Sequence, residues 1–255
     1  MISKNTIKLI KSLAHKKYRQ KHELFLVEGE KNVLEVLDSS LQVTHLFGTA
    51  RFLQNNSGRI TKADIVAEAA TDEIKKASLL KNPRDCLALC ALPKENSLPA
   101  QLGSFTFYLD SIQDPGNLGT IIRTCDWFGA NTIFCSPDTA DIFNPKVIQA
   151  SMGSFARVNA IYTPFAQLAE IATQSQAEVM GTFMDGENIY NTQLPEKAVV
   201  ILGNEGKGIS PEVAAKVERK LSIPRFHNEN KGPESLNVGV TAAIICSEFK
   251  RRKTF

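Results

Sequence analysis

Leu109-Asp-Ser-Ile-Gln-Asp-Pro-Gly-Asn-Leu-Gly-Thr-Ile-Ile-Arg-Thr124 decides how the chain is read. A short apolar run, Phe105–Leu109, leads into it and predicts a strand. Pro115-Gly116 marks a turn, Asn117 is placed to cap a helix, and Leu118–Phe128 has helical spacing. Gly119 lets another backbone approach closely. Arg123 falls one to two turns into that helix, where a guanidinium can grip a phosphate through two parallel hydrogen bonds. Taken alone, the segment is equally well an ordinary strand–turn–helix with a surface arginine.

Around this segment the pattern alternates. Strands are predicted at Thr132–Cys135, Arg157–Tyr162, Glu178–Phe183, Ala198–Leu202 and Lys220–Ile223. Helices are predicted at Val147–Ser151, Phe165–Ser175, Pro211–Val217 and Val238–Lys250. Such alternation argues for a parallel sheet covered on both faces, with ligands beyond the carboxyl ends of the strands.

Two further loops begin at such ends. Val199-Val-Ile-Leu-Gly-Asn-Glu-Gly-Lys-Gly-Ile-Ser-Pro211 runs from a β-branched strand into glycines. It is neither a P-loop nor a dinucleotide fingerprint, but its backbone groups can meet a ligand's polar edge. Glu205 there is either an acid–base group or a carboxylate that orders the loop by accepting N–H bonds. The third loop follows Leu221-Ser-Ile-Pro224 and resumes at Ser235-Leu-Asn-Val-Gly-Val-Thr-Ala-Ala-Ile-Ile-Cys246, where Ser235 is a natural cap for an apolar helix. No nucleophile arrangement competes, because His15, His22, His45 and His227 have no catalytic context.

Residues 1–95 read as a small α/β unit, 96–103 as a linker with Pro99, and 104–255 as a second domain. The first unit contains an amphipathic stretch, Ile2–Lys17, a strand at Glu23–Glu28 and a helix at Lys31–Leu37. Further strands are expected at Val43–Phe47, Ile65–Ala67 and Cys86–Ala91, with a helix at Thr71–Leu80. The net charge of +3 is too mild to identify a nucleic-acid binder. Its distribution says more: from Met1 to His22 there are seven Lys and Arg and no acid, and Lys250, Arg251, Arg252 and Lys253 stand near the end. Both clusters suit phosphate contacts, and both suit solvated surfaces. The five cysteines lack zinc-site spacing and read as reduced thiols of a cytoplasmic protein. No apolar stretch is long enough for a membrane span, and no signal segment follows the basic start.

The three loops in this order resemble the SpoU (TrmH-type) family of RNA 2′-O-ribose methyltransferases. The resemblance covers about residues 104–250. Phe25-Leu-Val-Glu-Gly-Glu-Lys-Asn-Val-Leu also resembles the substrate-binding domain of that family's rRNA-modifying branch, a relative of ribosomal proteins that bind kinked RNA. The resemblance implies an α/β fold of the SPOUT type with a deep trefoil knot, a homodimer, and S-adenosyl-L-methionine as cofactor without any metal. It places cofactor contacts at Gly203, Ile223 and Leu236, with Asn204, Gly208, Thr182 and the loop after Phe183 nearby. It places Arg123 at the catalytic centre, as the base or as the holder of a neighbouring phosphate. Asn117, Ser235 and Asn237 would align Arg123 and the nucleotide, and Glu205 would shape the cofactor loop.

Two departures stand out. The link Arg225–Glu234 is longer than the family's usual one, and Gly239 replaces a frequent serine, with little expected consequence. The separate N-terminal unit favours 23S-type rRNA as substrate over tRNA. A non-catalytic RNA-binding or ribosome-assembly protein, and an enzyme that protects rRNA from an antibiotic, are the alternatives.

Overall fold

The computed structural model describes residues 2–83, 85–94, 97–226 and 235–254. Two compact units form: residues 1–95 with 141–157, and residues 96–140 with 158–255.

The first unit holds strands β1 (Leu24–Glu28), β2 (Val43–Gly48), β3 (Ala63–Glu68) and β4 (Cys86–Ala91). They form one sheet in the order β1-β4-β2-β3, antiparallel except for β2 with β3. Ile10, Leu13, Leu26, Phe47, Ile74, Leu87 and Leu89 make its core. Two short helices, Ala50–Asn55 and Ser57–Ile60, lie between β2 and β3, where no helix is expected from the sequence. At six and four residues they are too short to show an apolar helical period.

The expected Ile2–Lys17 helix is two helices, Lys4–Ser12 and Lys16–His22. The break has a side-chain cause. Arg19 is 2% exposed and donates from Nη1 to the carbonyls of Leu13 and Ala14, at 2.8 and 3.1 Å. These are carbonyls that the end of a helix leaves unpaired. Its Nη2 meets Asp141 at 2.6 Å. Arg19 is therefore a structural cation, and it leaves the group of basic residues available to phosphate. Asp141 opens the 141–157 segment, whose Phe143 stacks on Phe25 with ring centroids 4.6 Å apart. The sequence reading places 141–157 with the second domain, but Phe25, the ring partner of Phe143 and Phe155, and Arg19 and Glu35, which pair with Asp141 and Arg157, lie in the first unit.

In the second unit six strands form one sheet: β5 (Thr106–Leu109), β6 (Thr132–Cys135), β7 (Asn159–Tyr162), β8 (Glu178–Asn188), β9 (Ala198–Leu202) and β10 (Arg219–Ser222). The order is β10-β8-β9-β5-β6-β7, and every pairing is parallel. The sheet's central runs are apolar on both faces, as in Phe107, Leu109, Val199 and Ile201, all buried. The chain leaves β5 toward β6 and β7 on one side and returns to β8, β9 and β10 on the other. The direction of winding reverses between β5 and β9, and their carboxyl ends flank the crevice where such sheets bind ligands. β8 runs five residues past the expected Phe183. One step on β10, from Lys220 to Leu221, spans Gly181 to Glu187 on β8, so residues 182–186 leave the ladder.

All five cysteines are buried and free, and burial pushes the Cys86, Cys90 and Cys135 thiols up, which makes them poor nucleophiles. No helix among the described residues is long and apolar enough to cross a membrane.

Candidate functional site

The helix after β5 runs Pro115–Trp127, and its cap is Asp114, whose Oδ1 accepts the Asn117 N–H at 2.8 Å. This corrects the expectation that Asn117 caps the helix. Asp followed by Pro at the first helical position is a start signal that the sequence already contains. With the cap supplied, the Asn117 side chain is free to act elsewhere. Its Nδ2 donates to Glu205 Oε1 at 2.7 Å, and its Oδ1 accepts from Asn237 Nδ2 at 2.8 Å.

The orientation of these amides is dictated by the backbone. Asn237 Oδ1 accepts the N–H groups of Gly239 and Val240, at 2.9 and 3.3 Å, so its NH2 must face Asn117. Asn117 must then offer oxygen to Asn237 and nitrogen to the Glu205 carboxylate. Asn237, not Ser235, is thus the cap of the Val238–Thr254 helix. Ser235 is exposed and makes no hydrogen bond among the described residues.

The loop after β9 is ordered by a different residue from the one expected. Asn204 and Gly208 exchange backbone hydrogen bonds at 2.9 Å in both directions, with Gly208 at a φ of +70°. Asn204 Oδ1 accepts the N–H groups of Gly206 and Lys207, at 3.0 and 3.1 Å, while its Nδ2 donates to the Ser111 carbonyl at 2.8 Å. The loop-ordering role considered for Glu205 falls to Asn204, and Glu205 turns its carboxylate to Asn117. Asp110, buried at the end of β5, accepts the Ser210 N–H at 2.7 Å and pins the far end of the loop. Gly203 is required by contact: a Cβ there would lie 2.4 Å from the Gly208 carbonyl carbon and the Ile209 nitrogen. Asp110 and Ser111 escape a reading of the sequence because the partners that tie them to this loop, the Ser210 N–H and the Asn204 amide, lie 100 and 93 positions away.

The neighbouring strands add Thr182, whose hydroxyl donates to the Ile201 carbonyl at 3.1 Å, and Ile223, half-buried just past β10. Leu236 is 48% exposed beside Asn237. The long 225–234 link lies outside the described residues except for its first two, Arg225 and Phe226, both exposed. Among the described residues no group of three His, Cys, Asp or Glu side chains is placed to hold a metal ion.

Arg123 stands apart. It is exposed and has no hydrogen-bond or ion-pair partner among the described residues. Six residues separate it from Asn117, which on an α-helix means about 9 Å of rise and roughly 240° of rotation. Within one chain, Asn117, Glu205 and Asn237 converge and Arg123 faces elsewhere. Trp127, one turn further along the Arg123 face, is 85% exposed.

The terminal basic cluster is also partly structural. Arg252 Nη2 donates to the carbonyls of Ile189 and Tyr190, at 2.7 and 2.9 Å, and its Nε meets Glu248 at 3.2 Å. Arg251 pairs with Glu248 at 3.0 Å. Both guanidiniums thus have partners within the chain, which neither reading of this cluster, as phosphate contacts or as a solvated surface, includes.

Residues 104–247 match the model of the SpoU rRNA Methylase family, and residues 4–88 match the MRM3-like substrate binding domain. The chain is 30% identical over 242 residues to the 23S rRNA (guanosine(2553)-2'-O)-methyltransferase RlmP of Bacillus subtilis, covering 92% of each protein. Among solved structures, a TrmH-family protein from Porphyromonas gingivalis is 40% identical with a TM-score of 0.88, covering 99% of both chains. An AdoMet-bound rRNA methyltransferase from Sinorhizobium meliloti is 25% identical with a TM-score of 0.86, covering 100% of this chain and 98% of that one. The family match spans more than half of the chain, and the B. subtilis relative aligns over nearly its whole length: this protein belongs to the SpoU rRNA methylase family.

Proposed function

We propose that this chain transfers a methyl group from S-adenosyl-L-methionine to a ribose 2′-hydroxyl of 23S-type ribosomal RNA. The observation that carries the reading is the convergence of Asn117, Glu205 and Asn237, one residue from each of three loops, at the carboxyl end of a parallel sheet. The names of the relatives above supply the substrate class.

The residues at this edge fit the cofactor. The Gly203 turn packs too tightly for any side chain and offers main-chain groups, while Ile223 and Leu236 offer apolar surface. That combination suits a flat ring with a polar edge. In this reading Gly203, Ile223 and Leu236 hold it, with Asn204, Gly208 and Thr182 shaping the surroundings. Bound there, S-adenosyl-L-methionine supplies an electrophilic sulfonium methyl, so the protein has only to align and deprotonate a ribose hydroxyl.

Arg123 offers a planar fork of N–H donors and no acceptor, and is therefore assigned the phosphate next to the reacting ribose, not the proton itself. Neutralising that phosphate would ease loss of the hydroxyl proton to solvent as the O–C bond forms and the S–C bond to the transferred methyl breaks, its electron pair returning to sulfur. Asn117, Asn237 and Ser235 orient the nucleotide, with Glu205 holding Asn117. Because Arg123 faces away from Asn117 in its own chain, we assign it to the site of a second copy. A homodimer is supported by exposed Trp127 and Val240 on the two helices that carry Arg123 and Asn237. The same reading includes a deep trefoil knot and a cytoplasmic location, and it gives the N-terminal unit the task of holding RNA.

The test is calorimetric titration with S-adenosyl-L-methionine, followed by mass-spectrometric mapping of ribose methylation in cellular RNA with and without the gene. We expect binding and the loss of one ribose methyl group from 23S-type rRNA. No binding, with or without RNA, refutes the enzyme reading in favour of an RNA-binding role. A lost methyl group in tRNA refutes the substrate class.

A further inference from the structure

Ser111, two residues past the end of β5, has a φ of +59°. Side chains other than glycine rarely occupy this left-handed region, and something must hold a serine there. Its hydroxyl donates to Asp138 Oδ2 at 2.5 Å, and its backbone N–H donates to Ser136 Oγ at 2.8 Å. Ser136 in turn donates to the other oxygen, Asp138 Oδ1, at 2.6 Å. One carboxylate therefore fixes both hydroxyls, and through them the backbone of Ser111. The Ser111 and Ser136 hydroxyls, with the Lys207 charge adding to them, hold Asp138 below the usual carboxylate range, so it is ionised at neutral pH.

The consequence lies on the other side of Ser111. Its carbonyl accepts from Asn204 Nδ2 at 2.8 Å, and Asn204 Oδ1 gathers the N–H groups of Gly206 and Lys207. Asn204 is thus held at one end by Ser111 and folds the loop with the other. Glu205, the next residue, meets Asn117.

We propose that Asp138 is a positioning residue for the cofactor loop, acting by keeping Ser111 left-handed so that its carbonyl anchors Asn204. The inference rests on the reading of 203–208 as that loop. Asp138 touches neither Asn117 nor Glu205 and is itself exposed, so its loss leaves the core intact.

The test is S-adenosyl-L-methionine affinity in the full-length chain for wild type, Asp138→Ala, and Asp138→Ala with Ser111→Gly. Asp138→Ala is expected to weaken binding on the order of tenfold, the scale of one charge-assisted hydrogen bond, with little change in melting temperature or RNA affinity. Glycine takes a positive φ unaided, so Ser111→Gly is expected to restore most of the loss. A purely structural role for Asp138 gives no such rescue. Wild-type affinity in Asp138→Ala, or no rescue in the double variant, overturns the inference. A wild-type chain that does not bind the cofactor overturns the loop reading itself, and this inference with it.

Discussion

The Asn117 side-chain amide donates to the Glu205 carboxylate at 2.7 Å across 88 positions of sequence. Replacing that amide by a carboxylate, Asn117→Asp, removes a donor and sets two like charges side by side. Methyl transfer is expected to fall by about a hundredfold, the scale of a misplaced reacting geometry. Glu205→Gln added to Asn117→Asp removes the repulsion and supplies a donor again, and should recover part of the rate. Steady-state turnover of the two single variants and the double variant checks this, and strictly additive losses would show that the two residues do not work as a pair.

Arg123→Ala removes a side chain with no partner among the described residues. Stability should change by no more than about 0.5 kcal/mol. Cofactor affinity and oligomeric state should persist while methyl transfer disappears. Arg123→Lys keeps the charge but loses the planar fork, so it should restore only a small part of the rate. Unchanged turnover in Arg123→Ala would remove the residue from the reaction.

The two sheets are largely legible in the sequence, because strand and helix periodicities are local properties of the chain. β4, β6 and β9 have the residue bounds that their apolar runs suggest. The three site loops are legible for the same reason: each follows such a run. The details depend on partners far away in sequence. Asn117 reads as a cap because Asn is a good cap, but Asp114 stands one residue before a proline and takes the position. Phe143 and Phe155 read as part of the second domain until Phe25 provides their ring partner. Arg19, Arg251 and Arg252 resemble any other surface cations in a sequence, since charge alone does not reveal which carboxylate or carbonyl waits for it.

Gly239 reads in the sequence as an indifferent replacement. In the fold, a Cβ there would lie 2.8 Å from Thr120 Cγ2 and 3.1 Å from Thr120 Cβ. Gly239→Ser should therefore cost about 1–3 kcal/mol through overpacking between the two site helices. Thr120→Ser removes the Cγ2 methyl while keeping the hydroxyl that donates to the Gly116 carbonyl at 2.9 Å. Combined with Gly239→Ser it should recover much of the loss. Thermal denaturation of the single and double variants decides, and full additivity would mean that Thr120 does not limit the packing.

If the N-terminal unit holds RNA, Lys4, Lys8 and Lys11 on the first helix are among its exposed cations, whereas Arg19 is buried in an ion pair. Changing these three lysines to glutamine should weaken RNA binding at low salt and leave cofactor affinity alone. The slope of log affinity against log salt should become shallower by about 0.7–0.9 for each phosphate that the protein no longer neutralises. An unchanged slope would place the RNA on another face.

The final helix is held by Glu248 and Arg252, and this anchor has a pH dependence of definite sign. The Arg251 guanidinium, with Arg252 beside it and burial opposing both, holds Glu248 below its ordinary value of 4.5. A carboxyl whose folded value is depressed stabilises the fold fully above its unfolded value. That contribution is lost as pH falls through the folded one. Stability should therefore be flat above about pH 5.5 with respect to this group and decline below pH 4.5. Glu248→Gln should remove this part of the acid decline and lower stability at neutral pH. Arg252→Ala should cost about 2 kcal/mol at neutral pH, since it also abandons the carbonyls of Ile189 and Tyr190. RNA affinity should stay near wild type, because Arg252 is already occupied by the protein. Chemical denaturation from pH 3 to pH 8, run beside RNA titrations, measures both effects; a large loss of RNA affinity in Arg252→Ala at unchanged stability would return this arginine to the phosphate surface.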